Sequence, residues 1–146
     1  SREYKEAVRV SKVAQFMKSS LAERMCVAAK KGMLFKEQPF VYGISAARLG
    51  GSEKAIMDDD GAVTAVEDNL AKETVLIQGI IDAFFEEEGG LVLLDYKTDV
   101  IKRPEELVKR YKAQLDYYEE ALESITGKKV KERILYSFYL GCEVPV

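Results

Sequence analysis

The stretch Gln78-Gly79-Ile80-Ile81-Asp82-Ala83-Phe84-Phe85-Glu86-Glu87-Glu88-Gly89-Gly90-Leu91-Val92-Leu93-Leu94-Asp95-Tyr96-Lys97 decides how this chain folds. Two apolar runs are joined by an acidic link ending in two glycines, a pattern that reads as two antiparallel strands and a tight turn. A two- or four-residue loop makes Glu87 face Gly90 or Glu86 face Leu91, and the same register carried to the far end puts Asp82 opposite Asp95. Side chains alternate along a strand, so Asp95 and Lys97 point the same way and Asp82 joins them.

Directly opposed like charges destabilise a sheet, and two facing carboxylates therefore need a reason. A divalent cation supplies one, because Mg²⁺ accepts one or two carboxylates and keeps several waters. Ordinary exposed strand-end charges, or an ion cluster of two aspartates and a lysine, are the plainer readings.

Working outward, Pro104 at a first helical turn, Glu105 and Glu106 beside it, and Gly127 beyond the end mark a long helix. Leu107, Tyr111, Leu115, Tyr118 and Leu122 form its buried stripe, with Gln114 beside them one turn before Tyr118. A last strand, Arg133 to Leu140, is apolar on both sides and therefore interior. Upstream, Glu3 to about Lys31 reads as two helical pieces, with Tyr4, Ala7, Val8, Val13, Phe16, Met17, Leu21, Met25 and Ala28 on the inner stripe. Ser20 and Glu23 make a capping box and Gly32 a stop. Phe35 to Ser45 is a strand that Pro39 confines to an edge or a strand start. Its Glu37 could reach the carboxylate pair as a further ligand or base, or could be an exposed strand-end acid. Residues 49–72, glycine-rich and poor in large apolar groups, read as a mobile loop. The order is helices, a three-strand meander, a helix and a strand, which implies an α/β sandwich with helices on both sheet faces.

The 146 residues suit one domain, of which roughly two-thirds of the unfolded surface can be buried. No apolar run approaches the ~20 residues that span a bilayer and no signal-peptide pattern opens the chain, so a cytoplasmic, non-membrane protein is expected. Without a histidine, Ser-His-Asp or Cys-His catalysis is excluded. Cys26 and Cys142 suit a reducing compartment, are expected as small buried residues, and are too few for a four-cysteine metal or iron–sulfur site. The net charge of -3 argues against gripping nucleic acid by bulk electrostatics. Locally the balance differs, because Lys97, Lys102, Arg103, Lys109, Arg110 and Lys112 outweigh Asp99, Glu105 and Glu106 directly after the carboxylate pair. That basic run is either a path for a polyanion or a solvated face.

Gly79-Ile80-Ile81-Asp82, Asp95-Tyr96-Lys97-Thr98-Asp99 and the pair Gln114 and Tyr118 together resemble the PD-(D/E)XK nuclease superfamily in its RecB-like branch, nearest the C-terminal nuclease domains of AddA-type helicase–nucleases. Lys36 to Phe40 is similar to a block that precedes these motifs in such domains. The resemblance implies a restriction-endonuclease-like core with a central mixed sheet flanked by helices. It implies an Mg²⁺-dependent deoxyribonuclease, with Mn²⁺ as a substitute and no iron–sulfur cluster, acting as an exonuclease on unwound strands in double-strand-break repair and recombination. Asp82, Asp95 and the Tyr96 backbone carbonyl would be metal ligands, Lys97 would orient or deprotonate the water and stabilise charge, and Gln114 and Tyr118 would support the site and the DNA strand. The branch commonly adds a histidine ligand from an upstream helix, which this chain lacks. The expectation is accordingly a C-terminal fragment of a longer chain, weak or inactive alone, whose partners are DNA, the helicase domains of that chain and an AddB-type subunit. An inert nuclease-fold module that guides DNA or binds protein, and a stand-alone endonuclease, are the alternatives.

Overall fold

The computed structural model describes residues 1–45, 64–67 and 74–146. Among them, helices α1 (Arg2–Met17) and α2 (Ser20–Lys30) precede strands β1 (Leu34–Ser45), β2 (Thr64–Glu67), β3 (Thr74–Glu87) and β4 (Gly90–Lys97). Helix α3 (Pro104–Thr126) and strands β5 (Val130–Ser137) and β6 (Cys142–Pro145) follow. The sheet is mixed, with order β1-β3-β4-β5-β6 and β2 pairing with β3. Among the described strands only β4 and β5 run parallel, and α3 is the crossover between them, as a parallel pair requires.

The turn has two residues, with Glu87 facing Gly90 and the expected register continuing to Ala83 and Leu94. Gly90, at φ 143, comes so close to the next segment that an added Cβ would lie 2.6 Å from the Lys129 carbonyl oxygen. Pro104 and the left-handed Gly127 delimit α3 as the sequence implies. The cap of α2 is Ser19 rather than Ser20, its hydroxyl accepting from the Ala22 amide. Glu23 then lies one position beyond the capping-box site, and the expected box is absent. Past the helix end, Gly32 and Met33 donate to the carbonyls of Ala29 and Ala28, which closes the last turn.

Each face of the sheet carries its own core. Phe40, Ile77, Ile81, Phe84, Leu91 and Leu93 pack beneath Leu107, Tyr111, Leu115, Tyr118 and Leu122 of α3. On the other face Ala83, Phe85, Val92, Leu94, Ile134 and Tyr136 meet Phe16, Leu21, Ala22, Met25 and Ala28 of α1 and α2. This is the expected α/β sandwich, with four departures. Tyr4, Val8, Val13 and Met17 are exposed, because α1 reaches the sheet core mainly through Phe16, which meets Tyr96 and Tyr136 edge-on. Cys26 is exposed and Cys142 half-buried, since Cys26 lies off the stripe formed by Leu21, Met25 and Ala28. The last strand ends at Ser137, where the chain turns through Gly141 (φ 69) into β6, an element not anticipated from the sequence. Of the expected loop, Thr64–Glu67 is a strand, and the remainder of residues 49–72 lies outside the described residues.

An ion cluster ties α2 to the sheet, with Arg24 bonded to both Glu87 and Glu132 and Lys131 adding to Glu87. The Arg24 hydrogen bond, with a smaller one from Lys131, outweighs burial and holds Glu87 down at about 2. A carboxylate depressed in the folded state stabilises it above its ordinary titration range and loses that contribution as pH falls through the folded value. Glu87→Gln should therefore melt below wild type at pH 7, and the gap should close as pH is lowered from about 4.5 to about 2, followed by circular dichroism.

Candidate active site

The α3 face of the sheet opens into a cleft of about 520 Å³ lined by Glu37, Pro39, Ile80, Asp82, Asp95, Tyr96, Lys97, Thr98, Gln114 and Tyr118. All six side chains singled out from the sequence, Glu37, Asp82, Asp95, Lys97, Gln114 and Tyr118, contribute to it. The strand pairing explains how. The β3–β4 ladder stops at Ala83 and Leu94, one step before Asp82 and Asp95. Asp82 also leaves the β1 ladder, where Lys36↔Ala83 and Gln38↔Ile81 flank an unpaired Glu37 and Asp82. Rather than a directly opposed ladder pair, the two aspartates thus occupy a gap, and Asp82 Oδ2 accepts the Tyr96 amide at 2.9 Å.

The side-chain alternation of β3 reverses at that point. Ile77 and Ile81 share a core with Phe84, whereas Ala83 and Phe85 face the other way. On β1, Glu37 adopts φ 50, a left-handed conformation that costs a non-glycine residue on the order of 1 to 3 kcal/mol.

Lys97 Nζ lies 2.8 Å from Asp95 Oδ2, and both side chains are below a tenth exposed. The contact lacks hydrogen-bond direction, so Asp95 Oδ2 is buried without a directed partner. Burial first, then the neighbouring Asp82 carboxyl, push Asp95 well above the usual carboxylate range against the opposing pull of Lys97. Lys97 donates to Gln114 Oε1 at 3.2 Å, and Gln114 Nε2 donates to Tyr118 Oη at 3.1 Å. Because an ammonium only donates, the amide must turn its oxygen to Lys97 and its NH₂ to Tyr118. Burial, with the Asp95 and Asp82 charges behind it, raises the Tyr118 phenol, which stays a hydroxyl and keeps its own proton to donate.

Two members of this cluster were not assigned a site role from the sequence. The Tyr111 ring has Lys97 Nζ 3.8 Å from its centroid, and its hydroxyl donates to Asp99 Oδ2 at 2.7 Å. The signal was present, since Tyr111 and Gln114 are one helical turn apart and Asp99 follows Lys97 by two. Gly79 also acquires a reason, because a Cβ there would lie 3.0 Å from the Phe40 ring, which packs edge-on against Tyr118.

Two carboxylates and a backbone carbonyl are an oxygen donor set of the kind a hydrated Mg²⁺ or Mn²⁺ accepts. A residue in a strand directs its N–H and C=O to the same side, so the Tyr96 carbonyl, like its amide, faces Asp82. The buried, undirected Asp95 oxygen fits such an ion. Among the described residues no group of three or more acidic, Cys or His side chains converges on one point. Glu37 thus lines the cleft without joining the pair.

A mixed α/β sheet flanked by helices, with an acid at the break in one strand and Asp-x-Lys at the end of its neighbour, is consistent with a PD-(D/E)XK-like core. No family model matches the chain. Over 96% of its length it is 37% identical to the AddA subunit of the ATP-dependent helicase/nuclease of Lachnoclostridium phytofermentans. The proteins of the same name from Clostridium perfringens and Thermoanaerobacter sp. are 40% and 41% identical over 97% and 95% of it. The chain is homologous, over nearly its whole length, to one segment of these AddA-type proteins, and spans 10 to 12% of their length.

Gly79→Ala should wedge the Phe40 ring against Tyr118 and destabilise the fold by about 1 to 2 kcal/mol in urea titration.

Proposed function

We propose that this chain is the nuclease module of a helicase–nuclease. It hydrolyses DNA phosphodiester bonds with a bound divalent cation, as an exonuclease on unwound single strands during double-strand-break repair and recombination. The observation that carries this reading is the convergence of the half-buried Asp82 with the buried Asp95 and Lys97 in one cleft, where Asp95 Oδ2 lies against the Lys97 ammonium without a directed hydrogen bond. Homology to helicase/nuclease proteins supports the substrate class. The implied partners are the helicase domains of the same polypeptide and an AddB-type subunit.

Asp82, Asp95 and the Tyr96 carbonyl would hold Mg²⁺ or Mn²⁺. The bound cation would supply Lewis acidity, a more acidic water and a template for alignment. Lys97 is surrounded by a carboxylate, an amide oxygen and a π face, partners that suit an ammonium ion. It therefore serves as a fixed positive charge for the negative charge that develops on the phosphoryl oxygens, rather than as the base. Gln114 holds that charge in place, and Tyr118 has a hydroxyl proton to offer the substrate backbone. The exposed bases Lys102, Arg103, Lys109 and Lys112, at the start of α3, lead a polyanionic strand toward the carboxylates.

One observation favours a second reading, an inert module that guides DNA: no third acidic, Cys or His ligand converges on the pair among the described residues. The two readings separate experimentally. Active chain should cleave a single-stranded oligonucleotide only with Mg²⁺ or Mn²⁺, and Asp95→Ala or Lys97→Ala should lower the rate by a factor of about 10² or more with the circular dichroism spectrum retained. Calorimetric Mn²⁺ binding should vanish in Asp82→Ala and Asp95→Ala. Wild-type rates in either cleavage variant would refute the assigned roles, and absence of both metal heat and cleavage in the native chain would favour the inert module.

A further inference from the structure

We propose that Tyr111 is a positioning residue for Lys97, its ring forming the floor on which the ammonium rests and its hydroxyl locking the plane of that ring. The inference rests on the reading of Lys97 as the site's fixed positive charge. Lys97 Nζ sits 3.8 Å from the ring centroid, well inside the range in which the negative face of an aromatic ring attracts a cation. Both side chains are almost wholly buried, where such attraction is strongest because water does not compete for the charge.

The ring is itself constrained. Its hydroxyl donates to Asp99 Oδ2 at 2.7 Å, and Asp99 also pairs with Arg110. Asp99 leaves the strand end two residues after Lys97, while Arg110 and Tyr111 belong to the first turns of α3. The segment carrying the lysine and the helix carrying the ring are thereby fastened to each other. Gln114, one turn further along α3, takes the same ammonium at 3.2 Å. Three contacts thus hold one flexible side chain and a fourth backs them: Asp95 pairs with the ammonium, Gln114 accepts from it, the Tyr111 ring lies beneath it, and Asp99 fixes the ring. A tyrosine serving only as core filling would need its ring packed and its hydroxyl bonded. It would not need the buried ammonium of the cleft centred over its face.

Ring currents give a readout that needs neither metal nor DNA. With ¹³C-lysine in the 146-residue chain, the Lys97 ε-CH₂ protons should resonate upfield of the other lysines. The displacement should persist in Tyr111→Phe and disappear in Tyr111→Leu. In oligonucleotide cleavage, Tyr111→Leu should lower kcat about tenfold with KM and Mn²⁺ affinity unchanged, and Tyr111→Phe should stay within about threefold of wild type. A Lys97 signal at the ordinary lysine position in the wild-type chain would overturn the proposal even if Tyr111→Leu failed to fold. So would equal losses of kcat in the Leu and Phe variants. Failure of the nuclease reading is distinct, because it would appear as absence of both Mn²⁺ heat and cleavage in the wild-type chain while leaving the Lys97 ring-current shift in place.

Discussion

The molecule is organised around one buried positive charge. Taking an ammonium and a carboxylate out of water costs several kcal/mol per ion, and their attraction offsets that only where the remaining polar atoms are also satisfied. The side chains around Lys97 answer to this requirement. Asp95 stands beside it, Gln114 turns its carbonyl oxygen toward it and the Tyr111 face lies beneath it. The stripe of α3 that looks purely structural is therefore divided in function. Leu107, Leu115 and Leu122 seal the core, while Tyr111, Gln114 and Tyr118 surround a polar centre set into that core's edge.

A second constraint is the break in pairing at Glu37 and Asp82. In an uninterrupted sheet a backbone bond would run from each of these residues to a neighbouring strand. Both leave the ladder, and the Asp82 carboxylate takes the Tyr96 amide instead. The register is preserved because one residue drops out on each strand. The change of face lets Ile81 stay in the α3 core while Asp82 turns to the cleft beside Asp95. Backbone strain at Glu37 belongs to the same distortion, in keeping with the tendency of such outliers to gather where function needs an irregular geometry.

Much of this was legible in the sequence, and the reasons are particular. The hairpin register followed from the glycine link, and the α3 stripe from its spacing between Pro104 and Gly127, because turn chemistry and helical period are local signals. The convergence of Asp82, Asp95 and Lys97 followed from those. What escaped was set by tertiary contact. Tyr4, Val8, Val13 and Met17 have helical spacing whether or not anything packs on them. Ser19 and Ser20 are adjacent, and only the geometry of the helix entry selects the first as cap. The end of the last strand at Ser137 is hidden because residues 138–140 continue the apolar run and read as strand. The gap in the ladder has no sequence signature, since neither Glu37 nor Asp82 is a residue that announces a bulge. Tyr111 looked like core because it is core, and its second role depends on where Lys97 ends.

The interruption at Glu37 also bears on solubility. In the described strand order β1 is terminal, and the outer edge of a twelve-residue strand, without a partner among the described residues, would ordinarily invite a strand from another molecule. Pro39 removes one donor from the strand, and two residues earlier the left-handed twist at Glu37 bends the strand out of line. The irregularity that opens the cleft thus leaves this rim a poor template for fibrillar stacking, which makes one local distortion a guard against self-association.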